Sequence, residues 1–266
     1  MIIEWNAHMF SADTTRYPFH PNAAYKPSGA NLIEDPLTAY IQRMESEGID
    51  KAVLVQPEPY GDDHSLVLAC LQREPNRFWG TSLFYPKDQD APQKLAELVQ
   101  LEPKIVATRF HAHRGKESYL DSFGDKGVRA LWNTAGELGL VIELHIGPNY
   151  GRQVAEVIET YPAYPVLIDH LAEPQMGNAV EYADILALSR FDNVFMKLSG
   201  FSHFSDDAPL HLDAKSFTRL VADAFAPDHL VWSGGSTGIV DAHLDHLTDT
   251  ERDKIKGENL ARLLIR

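Results

Sequence analysis

Short apolar runs rich in β-branched residues alternate along this chain with charged segments whose apolar residues recur every three or four positions. Such runs are typical of parallel strands covered on both faces, and the three-to-four spacing is typical of amphipathic helices. The predicted strands are residues 2–6, 52–56, 78–84, 105–110, 140–144, 166–168, 194–198 and 230–232. The predicted helices are residues 36–47, 65–73, 91–101, 126–138, 151–161, 179–188, 214–224 and 250–264.

This alternation over 266 residues predicts one α/β domain, residues 1–266, folded as a (β/α)8 TIM barrel. The rival fold is an open doubly wound sheet, which usually has a glycine-rich phosphate turn after its first strand. Here the first strand is followed by His8, and no glycine precedes Gly29. The barrel is therefore favoured, and the long irregular segment 11–34 is expected to form part of the wall of a site.

Polar residues follow the apolar runs where a barrel would place its active site, at the carboxyl ends of the strands. Histidines close three of these runs, and they predict catalytic groups at His8, His145 and His170. Lys197 lies inside an apolar run, where a lysine needs a partner; a structural ion pair with Glu4 or Glu143 is the alternative to a catalytic role. The predicted substrate contacts are Asn6, Gln56, Arg109, His113, Arg114 and Ser233.

The geometry of individual side chains and of strands adds two expectations. The guanidinium fork of Arg109, and with it Arg114, matches a carboxylate in two parallel hydrogen bonds and predicts an anion clamp. Neighbours in a strand face opposite ways, so Asp169 and His170 are not both expected to point into the barrel. Asp169 is expected to orient a neighbour from behind or to cap the next helix.

The composition narrows the class of partner. The net charge of −14 argues against general binding to nucleic acid or to a membrane surface. No apolar stretch reaches the roughly 18 residues that span a bilayer, and no basic-then-apolar leader opens the chain. One cysteine, Cys70, permits no internal disulfide and fits a reducing, cytoplasmic setting. The composition is also compatible with a homo-oligomer.

The order of the strand-end motifs resembles the amidohydrolase superfamily over nearly the whole chain. Within it, the chain is similar to the amidohydrolase-related group that includes 2-pyrone-4,6-dicarboxylate lactonase and sugar-lactone hydrolases and isomerases. The stretches that carry the resemblance are Asn6-Ala7-His8, Val55-Gln56-Pro57, Thr108-Arg109-Phe110, Glu143-Leu144-His145, Asp169-His170-Leu171-Ala172, Lys197-Leu198-Ser199-Gly200, Trp232-Ser233 and Glu258-Asn259-Leu260.

Two departures from the family pattern concern metal binding. The resemblance implies His-x-His after the first strand, but Asn6 takes the first position. It also implies an aspartate after the eighth strand, the usual base and a metal ligand, but Gly235 stands there. Both changes remove ligands, so no metal cofactor is expected. The alternative is one zinc ion held by His8, His145 and His170, with water in the fourth position.

The resemblance implies a hydrolase of a small carboxylated or sugar-derived lactone, that is, an anionic or polyhydroxylated one, and the two departures predict that it is metal-independent. A histidine is the expected base, His145 or His170, since its ordinary pKa lies near neutrality. His8 and Lys197 are expected to polarise the carbonyl oxygen. A lactone isomerase using the same groups is one alternative. A non-catalytic or disabled ligand-binding barrel, naturally or deliberately deprived of its aspartate, is the other.

Overall fold

The computed structural model describes residues 1–112 and 119–264. In this part of the chain eight parallel strands follow one another in sequence order around one sheet. The hydroxyl of Ser233, after the last strand, donates to the carbonyl oxygen of Trp5 on the first and helps to bring the two edges together. The strands are β1 (Ile3–Ala7), β2 (Lys51–Leu54), β3 (Phe78–Leu83), β4 (Ile105–His111), β5 (Val141–His145), β6 (Val166–Ile168), β7 (Val194–Leu198) and β8 (Leu230–Trp232). The sheet forms a nearly closed barrel with helices between its strands, which confirms the predicted fold class.

The helices begin and end where the sequence has strong signals. The first begins at Pro36, where the side chain of Asp35 accepts the amide of Thr38, and ends before Gly48, whose φ of 69° is left-handed. The helices are α1 (Pro36–Glu47), α2 (Ser65–Arg73), α3 (Ala91–Leu101), α4 (Lys126–Glu137), α5 (Gly151–Thr160), α6 (Ala179–Leu186), α7 (Lys215–Ala224), α8 (Gly238–His243), α9 (Asp249–Asp253) and α10 (Asn259–Leu264).

Two differences from the predicted helices occur near the C-terminus. Helix α8 was not predicted, since its six residues are too few to show a periodic pattern. The predicted helix 250–264 is divided into α9 and α10 by a π-helical turn at Lys254–Glu258. A Cβ at Gly257 in this turn would come within 2.2 Å of the carbonyl oxygen of Met1, so only glycine allows the turn to pack against the start of the chain.

The interior of the barrel is apolar through most of its depth and charged near its carboxyl-terminal end. Inward side chains alternate along each strand, as expected for a pleated sheet. The apolar layers contain Ile3, Trp5, Val53, Val55, Ala107, Val141, Leu167, Phe195 and Val231. Continuing the same alternation toward the carboxyl ends places Arg109, Glu143 and Lys197 on the inward face.

The first strand contains a bulge that changes where its polar residues point. Ile3 and Glu4 pair with Lys51 and Ala52, but the next pair is Ala7 with Leu54, so β1 has one extra residue. A bulge interrupts the alternation of side chains. Asn6 therefore lies beside Glu4, whereas His8 is close enough to Arg109 to interact with its charge, although the alternation of a regular strand would put Asn6 and His8 on one face.

None of the helices in the described ranges is long and apolar enough to cross a membrane.

The buried imidazole of His64 predicts an acid-sensitive fold. Its Nε2 accepts the amide hydrogen of Leu83 at 3.0 Å, and burial lowers its pKa to about 4. The unfolded chain, with an ordinary histidine pKa near 6.5, therefore takes up this proton first as the pH falls. By linkage, the pKa difference is worth up to about 3 kcal/mol of unfolding free energy, lost between pH 6.5 and 4.

His64→Gln keeps an acceptor at the same distance along the side chain without a titrating group. Urea unfolding at pH 7.5 and pH 4.5 should show a smaller loss of stability in His64→Gln than in the wild type. Equal losses in the two proteins would mean that His64 does not contribute to acid sensitivity.

Candidate active site

Four charged side chains meet inside the carboxyl-terminal end of the barrel, and we call Arg109, Glu143, Asp169 and Lys197 the buried quartet. Arg109 and Glu143 are partners in neighbouring strands. Nη2 and Nε of Arg109 donate to Oδ2 of Asp169 at 2.7 and 3.0 Å. Nζ of Lys197 lies 2.8 Å from Oδ1 of Asp169 and donates to Glu143. The structure thus confirms Glu143, not Glu4, as an ion-pair partner of Lys197.

The quartet places two basic beside two acidic side chains, and all four are buried from solvent. Burial raises the pKa of Glu143 to about 7, although Lys197 opposes this change. Burial would also raise the pKa of Asp169, but Lys197 and Arg109 outweigh it and hold the pKa below its usual range. Each buried charge is therefore stabilised by the opposite charges beside it. Removing one of the four charged groups would leave a buried charge without a partner.

A second group, which we call the histidine–glutamate cluster, consists of His145, His170, Glu173 and His203. One nitrogen or oxygen atom from each lies within 4.8 Å of the others. The ring of His170 contacts those of His145 and His203, with centroids 4.7 and 5.0 Å apart. The quartet and the cluster are joined by a hydrogen bond, since Nη2 of Arg109 lies 3.0 Å from Nδ1 of His145.

A left-handed backbone turn brings two members of this cluster together. His170, Leu171, Ala172 and Glu173 have φ values of 52°, 53°, 58° and 51°, a conformation that costs a non-glycine residue about 1–2 kcal/mol. Strain of this kind is most often retained at functional sites. The turn carries Glu173 back over the end of the barrel, so that its carboxylate reaches the rings of both His145 and His203.

The hydrogen bonds of His145 fix its tautomer. A guanidinium can only donate, so Nδ1 accepts from Arg109 and the ring proton lies on Nε2. That Nε2–H donates to Oε1 of Glu173 at 2.8 Å. Neither ring nitrogen then has a free lone pair, which makes His145 a poor candidate for the base in this arrangement.

The other two predicted histidines are both neutral. Nδ1 of His170 lies 2.8 Å from the hydroxyl of Ser199; burial, assisted by Arg109, lowers its pKa well below the ordinary value. His8 donates from Nδ1 to the carbonyl of Val55 at 3.2 Å, which leaves its Nε2 as an acceptor. Burial, followed by Arg109, lowers the pKa of His8 to about 3. Neither imidazole has the near-neutral pKa that the sequence suggested for a base.

The predicted substrate contacts are dispersed. Gln56 donates both amide hydrogens to the carbonyls of Gly61 and Asp63. The hydroxyl of Ser233 donates to the carbonyl oxygen of Trp5 in β1. Asn6 lines a cavity of about 580 Å³ beside Gly234 and Gly235. His113 and Arg114 lie outside the described residues. Contact of these residues with substrate stays a prediction, as does the anion clamp of Arg109, two of whose nitrogens are bound to Asp169.

Sequence reasoning missed Glu173 and did not include His203 among the catalytic residues. Glu173 follows His170 at a spacing of three, and this His-x-x-Glu spacing is the one signal that could have pointed to it. The spacing joins their side chains only through the left-handed turn, which strand periodicity does not predict. The sequence places His203 after the seventh strand, but no spacing or motif there predicts a role for it.

The cluster has the ligand types of a zinc site, but its hydrogen bonds do not fit a metal held by His145. Nε2 could bind a metal only after losing its proton, and Nδ1 would then have to become a donor while it faces the guanidinium of Arg109. The predicted zinc ligand His8 is not among the four residues of the cluster. The arrangement of hydrogen bonds in the structure therefore does not fit a metal bound through His145.

Known proteins resemble this chain over most of its length. The family model for amidohydrolases matches residues 3–265. A 4-sulfomuconolactone hydrolase from Hydrogenophaga intermedia is 28% identical over 232 residues, which cover 86% of this chain and 72% of that protein. An L-fucono-1,5-lactonase from Burkholderia ambifaria is 25% identical over 228 residues, 84% of this chain and 75% of that protein.

Solved structures show the same fold. A probable 2-pyrone-4,6-dicarboxylic acid hydrolase from Acinetobacter baumannii, with citric acid bound, has a TM-score of 0.81 at 20% identity and covers 99% of this chain and 98% of its own. An amidohydrolase from Burkholderia multivorans with bound zinc has a TM-score of 0.76 at 16% identity and covers 99% of both chains. Because the family model matches nearly the whole chain and the barrel agrees with it, this chain belongs to the amidohydrolase family.

Proposed function

We propose that this chain hydrolyses a small carboxylated or sugar-derived lactone, without a metal ion and with a histidine as base. The observation that carries the proposal is the histidine–glutamate cluster at the carboxyl-terminal end of the barrel, where barrels of this kind hold their active sites. The names of the relatives support the substrate class, since they describe hydrolases of a sulfomuconolactone, a fuconolactone and a pyrone dicarboxylic acid.

Hydrolysis of a lactone needs a polarised carbonyl, a deprotonated water and a proton for the ring oxygen. His170 suits the first task, because a neutral imidazole can donate a hydrogen bond without carrying charge. If the hydroxyl of Ser199 donates to Nδ1, the ring proton of His170 lies on Nε2 and is available to the carbonyl oxygen. His8 has the opposite tautomer, so it accepts a hydrogen bond from the water or from a substrate hydroxyl.

Lys197 contributes in a different way from the direct contact that the sequence suggested. Its ammonium group is fully buried and is held by Glu143 and Asp169. In this position Lys197 shares the carboxylate of Asp169 with Arg109 and so helps to hold the guanidinium in place. Arg109 in turn fixes the tautomer of His145.

The test is turnover of a panel of carboxylated and sugar lactones in water enriched in ¹⁸O. We expect a ring-opened hydroxy acid with one ¹⁸O in its new carboxylate. A rearranged lactone without ¹⁸O would identify an isomerase instead. Binding of lactones without any turnover would identify a ligand-binding barrel and contradict the proposal.

Metal independence gives a separate prediction. We expect purified protein to contain far less than one zinc or manganese per chain, and its lactonase activity to survive dialysis against a chelator. The physical reason is that Arg109 and Glu173 occupy both ring nitrogens of His145, while Asn6 and Gly235 stand at two expected ligand positions. Elemental analysis and residual activity are the measurements. About one metal per chain, lost together with activity and restored with it, would contradict this part of the proposal.

A further inference from the structure

The carboxylate of Glu173 holds two imidazoles in place from a buried position. Its Oε1 is 2.8 Å from Nε2 of His145 and 2.8 Å from Nδ1 of His203, and its Oε2 accepts from Gln175 at 2.7 Å. Glu173 is fully buried, whereas 29% of the His203 side chain is exposed. The carboxylate thus lies on the inner side of His203, and the ring extends toward solvent.

This contact determines which nitrogen of His203 is free. A carboxylate oxygen accepts, so Nδ1 of His203 carries the ring proton and Nε2 has the lone pair. Nε2 of His203 has no hydrogen bond to any residue that the structure describes. An imidazole oriented by a carboxylate through Nδ1–H, with Nε2 open, is the arrangement of a general base.

The neighbouring groups favour His203 over the two histidines that the sequence suggested. His145 has no free lone pair, because Arg109 and Glu173 occupy both nitrogens. Burial lowers the pKa of His170 well below its ordinary value, and Arg109 adds to this effect although Asp169 opposes it. Gly235 has no side chain, so the loop after β8 supplies no base at that position.

We infer that His203 is the general base of the proposed lactone hydrolysis and that Glu173 is the residue that positions it. Nε2 of His203 takes a proton from water while the water oxygen forms a bond to the lactone carbonyl carbon. Glu173 balances the charge of the resulting imidazolium. As the bond from this carbon to the ring oxygen breaks, His203 returns the proton to that oxygen, and the product is a hydroxy acid.

This inference rests on the proposed function and is tested with the lactone that the wild type turns over. We expect His203→Gln to lower kcat by about 10²–10⁴-fold, the usual contribution of a positioned base. The matched control is His246→Gln, which changes an exposed histidine outside the cluster and should retain wild-type activity. Wild-type kcat in His203→Gln would overturn the inference while leaving the hydrolase function intact. Absence of turnover in the wild type would instead overturn the proposed function, and the catalytic role with it.

The positioning role of Glu173 needs a readout that a purely structural role would not change. The groups described around His203 are the carboxylate of Glu173 and the rings of His145 and His170. Because Glu173 holds the base and does not contact the lactone, Glu173→Gln should lower kcat with little change in KM. In a His203→Gln background, where no base remains to be positioned, Glu173→Gln should lower kcat no further. Additive losses of kcat in the double variant would overturn the role of Glu173.

Nitrogen NMR of the imidazoles tests the pair without substrate. In the wild type we expect the Nδ1–H tautomer for His203, and in Glu173→Gln a larger share of the Nε2–H tautomer. An Nε2–H tautomer in the wild type, or the same tautomer populations in both proteins, would overturn the pairing whether or not a lactone is turned over.

Discussion

Lys197→Met is expected to lower the free energy of unfolding by about 3–5 kcal/mol, the usual cost of removing one partner from a buried ion pair. Methionine has a similar length but no charge, so the change leaves Glu143 and Asp169 facing Arg109 alone. Two negative charges and one positive charge would then remain on side chains that are buried from solvent. Urea unfolding at neutral pH measures the loss.

A second variant separates charge balance from packing. In Lys197→Met combined with Glu143→Gln, one positive and one negative charge remain, so we expect the double variant to recover part of the lost stability. Burial already raises the pKa of Glu143 to about 7, so the single variant should also be less impaired at slightly acidic pH.

The matched surface control is Arg190→Met, which breaks an exposed 3.0 Å pair with Glu159. Such pairs contribute about 0–1 kcal/mol. Equal losses in Lys197→Met and Arg190→Met would show that the quartet does not stabilise the barrel.

His170→Asn is expected to lower kcat by about 10²–10³-fold, the usual effect of losing one hydrogen-bond donor to the reacting carbonyl. The fold should be retained for two reasons. An asparagine amide can replace Nδ1 beside Ser199, and asparagine tolerates the left-handed φ of 52° better than most residues. The amide is too short to replace Nε2. The measurements are kcat on the identified lactone and the melting temperature.

The chain offers a close control for this substitution. His211 also has a left-handed backbone, with a φ of 50°, and its Nδ1 lies 2.9 Å from the hydroxyl of Ser205. It is outside the histidine–glutamate cluster, so His211→Asn should retain activity. Equal activity losses in the two variants would point to backbone disturbance in place of a catalytic role for His170.

The barrel could be predicted from the sequence because its strands are short and buried on both faces. Runs such as Val166-Leu167-Ile168 have no polar residue, and β6 has these bounds. The partner of Lys197 could also be narrowed to two carboxylates, because a buried ammonium group requires one. The choice between Glu4 and Glu143 needed the register of the strands. Glu143 faces the barrel interior, whereas Glu4 bonds to Tyr40 and Arg43 of α1.

The site itself could be predicted only in part, because its key contacts depend on irregular backbone. The expectation that Asp169 and His170 face opposite ways is wrong, since the chain leaves the extended conformation immediately after Asp169. Asp169 joins the quartet and His170 joins the cluster at the same end of the barrel. The bulge in β1 separates Asn6 from His8 in a similar way. Period-two reasoning fails at both places because it assumes a regular strand.

The left-handed turn at residues 170–173 limits how this protein can be improved. Glycine at Ala172 would remove backbone strain of about 1–2 kcal/mol and lose only a methyl group, so it is an attractive change for a more heat-resistant protein. The same change would loosen the segment that holds His170 and Glu173 at a fixed separation. A change that relieves the strain in this turn would therefore raise stability and lower activity. A thermostable derivative would have to obtain its extra stability elsewhere in the barrel.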